Sequence, residues 1–176
     1  GSDPGPKVTE LLRSGRRFMV YVGRVTRNKG AFDLARIMHR LRDRDVTLLI
    51  AGSAKSANIR RVKHLSKQYG LEDRIIMAGA VPHASLPAIL NRAEAMLFPS
   101  IHPESLPKVV MEAMACSLPV VAYRVPAFRG LIDHGTEGLL AGPKDVDGIT
   151  AHLDSLLSDD ATRRKMGEAA RRRIEN

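Results

Sequence analysis

Short apolar runs alternate with segments of helical spacing along most of this chain, and this alternation constrains the fold more than any other feature. The runs predict strands at 17–23, 46–52, 74–78, 95–98 and 119–123, and a sixth at 138–141. The apolar spacing predicts helices over 31–42, 59–69, 83–92, 106–115, 146–157 and 161–174. Strands without a polar face, separated by helices, are typical of a parallel sheet covered on both sides. The predicted fold class is therefore α/β, a doubly wound, Rossmann-like parallel sheet of about six strands with right-handed crossovers.

The length and composition suit a single domain. With 176 residues, 44% of them hydrophobic, the chain can bury one core but is too short for two domains of ordinary size. Residues 1–15 show no periodic pattern, so we expect a vector-derived Gly-Ser remnant and a linker there, and the domain at 16–176. No apolar run approaches the roughly 20 residues of a membrane span. The single cysteine, Cys116, excludes an internal disulfide and favours a reducing compartment, so a cytoplasmic protein is expected.

The charge is strongly basic, with 28 Lys+Arg against 19 Asp+Glu and a net charge of +9. Such a balance suits an anionic ligand, a nucleic acid or an acidic membrane surface. Many cations lie in the last predicted helix, at 163–165 and 171–173, where a solvated basic face is the simplest interpretation. Peripheral contact with an anionic membrane is compatible with this face. Nucleic-acid binding is not expected, because no aromatic residues interleave with the cations to stack on bases.

The loop after the first strand carries the first candidate site. Gly23 and Gly30 border it, and Arg24 and Lys29 lie between them, just before a predicted helix. A strand, loop and helix in this order favour an anion at the helix N-terminus, so the loop suits a diphosphate. The sequence has neither the G-x-G-x-x-G fingerprint nor a Walker loop, which argues against ordinary dehydrogenases and P-loop NTPases. The alternative is that these cations are simply solvated.

A second candidate site surrounds the predicted helix 106–115. Two carboxylates, Glu104 and Glu112, flank the start of this mostly apolar helix, directly after the fourth predicted strand. Loops at the carboxyl ends of the strands of an open α/β sheet are the usual place for ligands. Glu112 could accept hydrogen bonds from a pair of ligand hydroxyls, or it could form an exposed ion pair with Lys108, four residues earlier. Glu104 could equally be an ordinary acidic residue at a helix start.

Other polar residues carry weaker signals. Asp43 and Asp45 match the D-x-D pattern of metal-dependent sugar transferases, but they fall between a helix and a strand, where a solvated turn is expected. His83 and His102 have no partners at metal-ligand spacing, and Cys116 has no evident base. All three are expected to be structural, and no metal site is predicted.

These residues together resemble a known family, the retaining, nucleotide-sugar-dependent glycosyltransferases called glycosyl transferases group 1, which have a two-domain GT-B fold. The resemblance is to the C-terminal, donor-binding domain and extends from about Phe18 to the end of the chain. Its motifs occur in order at Gly23, Arg24, Lys29, Gly30, 70–74, 79–81, 98–100, Glu104, 112–116, 118–122, Gly135, 138–140, Met166 and Gly167.

The resemblance implies a role for each matched residue. Arg24 and Lys29 would hold the donor diphosphate, Glu112 the ribose hydroxyls, and Glu104 the transferred sugar at the reaction centre. Backbone amides near the start of the predicted helix 106–115 would contact phosphate or sugar. Residues 79–81 would contact the base. The implied catalytic residues are Glu104, Arg24 and Lys29. The implied substrate-binding residues are Gly23, Arg24, Lys29, Val81, Glu104, Ser105, Leu106, Lys108, Val109 and Glu112.

The implied activity is transfer of a hexose-type sugar from a nucleoside-diphosphate sugar to an acceptor, with retention of anomeric configuration and without cofactor or metal. The acceptor would be held mainly by an N-terminal domain that this chain lacks, so the chain alone is expected to be inactive. Two alternatives stay open: a nucleotide-sugar epimerase of GT-B fold, and a non-catalytic nucleotide-binding or nucleic-acid-binding module. The chain departs from the family pattern in 100–104, which is one residue longer, and in 125–130, which lacks the usual Gly-Gly and acidic residue.

Overall fold

A computed structural model of the chain describes residues 2–103 and 107–176. Within them lies one sheet of six parallel strands. The strands are β1 (Phe18–Val22), β2 (Thr47–Ala51), β3 (Ile75–Gly79), β4 (Met96–Phe98), β5 (Val120–Tyr123) and β6 (Gly138–Ala141). Their order across the sheet is β3-β2-β1-β4-β5-β6. The predicted fold class is confirmed.

Seven α-helices accompany the sheet within the described residues. They are α1 (Pro6–Ser14), α2 (Asp33–Arg40), α3 (Ser56–Gln68), α4 (Leu86–Leu90), α5 (Lys108–Ala115), α6 (Val146–Ser158) and α7 (Asp160–Glu175). Short 3-10 turns lie at His83–Ser85 and Pro126–Phe128. The predicted helix at 83–92 is therefore a 3-10 turn followed by a five-residue helix. The predicted helix at 59–69 begins three residues earlier, at Ser56.

The two faces of the sheet bury separate apolar cores. In β1, Met19 and Tyr21 belong to the core covered by α2, α3 and α6, whereas Phe18 and Val20 belong to the core covered by α1, α4 and α5. All four side chains are at most 1% exposed, which explains why the strand lacks a polar face. Successive residues of a strand point to opposite faces, so every central strand contributes to both cores.

The structure differs from the sequence prediction most clearly at the N-terminus. Residues 1–15 were expected to hold no regular element, but α1 occupies Pro6–Ser14 and its Val8 and Leu11 are almost completely buried. Lys7 Nζ also donates to the carbonyl of Met77, at 3.0 Å, on strand β3. The linker interpretation is therefore wrong for this segment. A nine-residue helix with two buried side chains gives too short a pattern for its periodicity to be recognised.

The sheet order places the candidate sites. Successive strands spread in one direction from β1 to β3, and the chain then crosses to the other side of β1 to form β4. Val20 of β1 is in register with Met96 of β4. The connections after β1 and β4 therefore leave neighbouring strands towards opposite faces, which opens a crevice at the carboxyl edge. Ligands of doubly wound folds bind in such a crevice.

Candidate functional site

The loops that follow β1 and β4 pack directly against each other. The amide of Ile101 donates to the carbonyl of Asn28 at 3.0 Å. Gly30 approaches Pro99 so closely that a Cβ atom at Gly30 would lie 2.0 Å from the Pro99 carbonyl oxygen. Gly30 also has a φ of +77°, which disfavours any residue with a side chain. The glycine of the candidate phosphate loop is thus required for the contact between the two loops.

The loop after β1 is held in place by its own hydrogen bonds. The Tyr21 hydroxyl donates to the carbonyl of Arg24 at 2.6 Å, and Asn58 Nδ2 donates to the carbonyl of Val25 at 2.8 Å. Burial raises the pKa of Tyr21 well above its usual range, so the hydroxyl stays a donor. Within the loop, the amide of Gly30 donates to the carbonyl of Arg27 at 2.9 Å. Such a loop needs little reorganisation to receive a ligand.

Two cations of this loop lie near each other. Arg24 is exposed and Lys29 is half-buried. Burial lowers the pKa of Lys29, and the positive charge of Arg24 lowers it further. Arg24 and Lys29 thus belong to one loop, with Gly23 directly before Arg24 at the end of β1, and their role towards a ligand stays a prediction.

The predicted anion-binding helix start is formed by α5. Pro107 is its N-cap residue, and Lys108 and Val109 begin the helix, slightly later than the sequence predicts. The first N–H groups of a helix have no partner inside it, and the helix dipole makes this end attractive to anions. Lys108 is exposed and Val109 half-buried. The predicted site residues Glu104, Ser105 and Leu106 lie outside the described residues.

Glu112 has a partner that the sequence analysis did not identify. Its carboxylate lies 2.7 Å from His83 Nε2, and the Glu112 and His83 side chains are 34% and 80% exposed. Lys108, the partner considered from spacing, forms no ion pair with a residue in the described part of the chain. The contact joins α5 to the segment after β3, where Val81 packs half-buried on the neighbouring core. His83 lies 29 residues from Glu112 in sequence, so local spacing carries no signal of it.

The weaker sequence signals fall outside the crevice or carry little chemistry. Asp43 and Asp45 are exposed between α2 and β2, at the amino edge of the sheet, which confirms the predicted turn. No group of three or more His, Cys, Asp or Glu residues that could hold a metal occurs among residues 2–103 and 107–176. Burial, followed by the negative charge of Glu112, raises the pKa of Cys116, so its thiol is a poor nucleophile. The Nδ1 atom of His102 is buried without a hydrogen-bond partner among the described residues.

Arginines of the basic last helix, α7, form ion pairs with other segments of the domain. Arg163 lies 2.9 Å from Glu94, and its side chain is only 14% exposed. Arg173 contacts Asp133 at 2.6 Å and the buried Glu137 at 2.8 Å. The expectation of a solvated basic face is therefore wrong for Arg163, whereas Arg173 is exposed; both arginines tie α7 to the rest of the domain. No helix within the described residues is long and apolar enough to cross a membrane.

The order of the strands, the crevice beside β1 and the helix start beside it define a Rossmann-like α/β domain of the class that builds GT-B glycosyltransferases. The family described as glycosyl transferases group 1 matches residues 7–173. The chain therefore belongs to the glycosyl transferases group 1 family.

Two curated relatives illustrate the similarity. A glycogen synthase of Mycobacterium tuberculosis is 30% identical over 171 residues, which cover 96% of this chain and 41% of the relative. A D-inositol 3-phosphate glycosyltransferase of Corynebacterium glutamicum is 34% identical over 165 residues, which cover 88% of this chain and 38% of the relative. The chain thus spans about two fifths of the length of these relatives.

Solved structures have the same fold. Sucrose-phosphate synthase from Thermosynechococcus elongatus superposes with a TM-score of 0.85 and 29% identity, over 98% of this chain and 44% of that one. Anabaena HepE, solved in complex with UDP and glucose, superposes with a TM-score of 0.86 and 20% identity, over 96% of this chain and 47% of that one. The C-terminal domain of the group 1 protein LpcC from Francisella tularensis superposes with a TM-score of 0.81 and 23% identity, over 97% of this chain and 91% of that domain.

Proposed function

We propose that this chain is the donor-binding half of a retaining glycosyltransferase, which transfers a hexose-type sugar from a nucleoside diphosphate to an acceptor. The observation that carries the proposal is the pair of packed loops at the strand-order reversal, where Arg24 and Lys29 lie close enough for their charges to interact. The family membership supports it, as does the likeness in fold to the C-terminal domain of LpcC. The acceptor site belongs, in this proposal, mainly to another domain of the whole protein.

The leaving diphosphate is the first group that the proposal assigns. Charge builds up on the diphosphate as the bond to the sugar breaks, and preorganised cations and N–H groups stabilise it. Arg24, Lys29 and the first amides of α5, at Lys108 and Val109, would supply this positive field. A divalent metal is then not needed, because its usual role of neutralising the diphosphate is already filled.

The nucleoside is the second group. Glu112 would accept hydrogen bonds from the two ribose hydroxyls, and 79–81, with Val81, would contact the base. A carboxylate has about four lone-pair sites, so the contact with His83 leaves acceptor capacity for a diol. The side chain is one-third exposed, which leaves it accessible to a ligand. HepE binds UDP on the same fold, which supports a nucleoside diphosphate as the ligand class.

The transferred sugar is the third group. In this proposal Glu104 contacts it at the reaction centre, with Ser105 and Leu106 beside it. These assignments come from the family motif alone, since the three residues lie outside the described part of the chain. Retention of configuration likewise rests on the family resemblance.

The proposal is tested by measuring which anions the chain binds. Calorimetry with UDP, GDP, ADP, inorganic pyrophosphate and a short oligonucleotide separates a donor site from a general anion site. We expect one nucleoside diphosphate to bind more tightly than the other two and than pyrophosphate. Preferred binding of the oligonucleotide, with the steep salt dependence of phosphate-backbone contacts, would instead make the chain a nucleic-acid-binding module.

The role of Glu112 is tested by two matched variants. Glu112→Ala removes charge-assisted bonds to the ribose worth about 1.5–3 kcal/mol each, so nucleoside diphosphate affinity should fall at least tenfold. Pyrophosphate has no ribose, so its affinity should hardly change. His83→Ala removes the other side of the 2.7 Å contact and keeps the carboxylate. If Glu112 only anchors the segment after β3, both variants will weaken the nucleotide equally, and the ribose assignment fails.

A further inference from the structure

A second cationic cavity lies on the other face of the sheet from Glu112. Its volume is about 300 Å³, and its walls come from the loops after β1 and β4, from α2 and α3, and from the start of α6. We call it the α2–α6 cavity. Its lining includes Arg27, Phe32, Arg36, Arg61, Ile101 and Lys144. Arg24 and Lys29, assigned above to the donor, do not line it.

The cations of this cavity outnumber the acids. Four basic side chains from four separate segments line it, and within the described residues the lining contains one carboxylate, Asp33. That carboxylate is already engaged, because it accepts a hydrogen bond from the Tyr123 hydroxyl at 3.0 Å and lies 3.7 Å from Arg36. Arg27, Arg61 and Lys144 have no ion-pair partner among the described residues. Arg27 only stacks on the ring of Phe32, at 5.7 Å.

The acids closest in sequence to Lys144 are also engaged elsewhere. Asp145 caps α6 by accepting from the amide of Gly148 at 2.8 Å, and Asp147 pairs with Arg40 at 2.6 Å. Neither carboxylate lines the cavity. Three of the four exposed cations of the cavity, Arg27, Arg61 and Lys144, are therefore not neutralised by a carboxylate of the described residues and are open to a ligand.

The backbone adds to this positive field. Asp33 and Val146, the first residues of α2 and α6, both line the cavity, so two helix N-termini border it. The first amides are already engaged, since Asp33 N–H donates to the Gly30 carbonyl and Val146 N–H to the Lys144 carbonyl, each at 3.0 Å, so this field comes from the helix dipoles. Lys144 itself has a φ of +61°, which is uncommon for a residue with a side chain.

From this geometry we propose that the α2–α6 cavity binds a small, multiply charged anion, a phosphate or the phosphate group of a phosphomonoester. The site is separate from the proposed donor site and does not depend on that assignment. The two sites share a wall, however, because Asn28, Gly30 and Ile101 belong to the packed loops between them. An anion in the cavity would therefore also stabilise the loop that carries Arg24 and Lys29.

Inorganic phosphate, titrated into the ¹⁵N-labelled chain at constant ionic strength, is the direct test. We expect saturable chemical-shift changes at Phe32, Ile101 and Val146 and at the side chains of Arg27 and Arg61. Glycerol 3-phosphate, as a phosphomonoester probe, is titrated in parallel. Tighter binding of the ester assigns the site to phosphorylated small molecules, whereas tighter binding of phosphate assigns it to the free ion.

Variants separate this site from a generally basic surface. Arg61→Gln combined with Lys144→Asn removes two cations while keeping a helix-forming residue in α3 and a residue that tolerates positive φ. We expect phosphate affinity to fall at least tenfold. Arg60→Gln, an exposed neighbour on α3 that does not line the cavity, is the matched control and should leave the affinity unchanged. Binding without saturation, or an equal loss in the control, would overturn the proposal.

A UDP titration keeps this test distinct from the test of the donor site. The double variant leaves Arg24, Lys29 and Glu112 intact, so UDP affinity measured without phosphate should be unchanged. Phosphate shifts confined to 23–29 and 108–112 would show that the anion binds at the donor site and would refute a second site. Failure of the wild type to bind any of UDP, GDP and ADP would refute the donor assignment, while the phosphate titration still decides the α2–α6 cavity.

Discussion

Gly30→Ala is expected to be one of the most damaging single-methyl additions to this chain. Gly30 has a φ of +77°, and a Cβ atom there would lie 2.0 Å from the Pro99 carbonyl oxygen and 2.8 Å from Pro99 Cβ. Two costs therefore add. The left-handed backbone costs a residue with a side chain roughly 1–2 kcal/mol, and overpacking against a rigid neighbour costs about 1–3 kcal/mol.

The sum predicts a loss of about 2–5 kcal/mol in the free energy of unfolding, against a total of about 5–15 kcal/mol for an ordinary domain. Gly70→Ala is the matched control. Gly70 has a φ of +66°, but a Cβ atom there would meet nothing within 4 Å beyond its own chain neighbours, so only the backbone cost applies. We expect Gly70→Ala to cost about 1–2 kcal/mol.

Urea unfolding of the wild type and both variants measures these differences from the shift in midpoint. The structure also predicts that Gly30→Ala pushes the loop after β4 away and weakens the 3.0 Å hydrogen bond from Ile101 to Asn28. UDP affinity should therefore fall in Gly30→Ala and stay unchanged in Gly70→Ala. If the two variants lose equal stability, the close contact between the loops does not constrain Gly30 and the argument is wrong.

Two further predictions concern pH and metal. The Nδ1 atom of His134 accepts a hydrogen bond from the amide of Leu140 at 2.9 Å, and burial, followed by the charges of His152 and Arg124, lowers the pKa of His134 below 6.5. The neutral imidazole therefore stabilises the folded state above pH 6.5, and this contribution is lost as the pH falls through the lowered pKa. Urea midpoints measured across this range should depend less on pH in His134→Ala, and an identical dependence would contradict the assignment. In the proposed function Arg24, Lys29 and the α5 amides fill the role of a metal, so nucleoside diphosphate affinity should be the same with and without a chelator; loss of binding on chelation would refute this.

The local sequence was sufficient to predict the elements of the sheet. Each strand is apolar on both faces because helices cover both faces, so the runs at 17–23 and 46–52 stand out against their polar surroundings. Helix α1 was not predictable in the same way, because its stability comes from the burial of Val8 and Leu11 against the domain and not from its own short pattern. Tertiary packing decides such an element.

The candidate site was likewise only partly predictable from the sequence. Arg24, Lys29 and Glu112 were candidates from the sequence because each lies in or beside a loop that follows a strand, and parallel strands bring such loops to one edge. Their assigned roles came from the family resemblance. The sequence contained no local signal for the contact between His83 and Glu112. That contact, like the gathering of Arg27, Arg61 and Lys144 around one cavity, joins side chains that are far apart along the chain. Such contacts depend on the strand order β3-β2-β1-β4-β5-β6, which only long-range pairing of the folded chain decides.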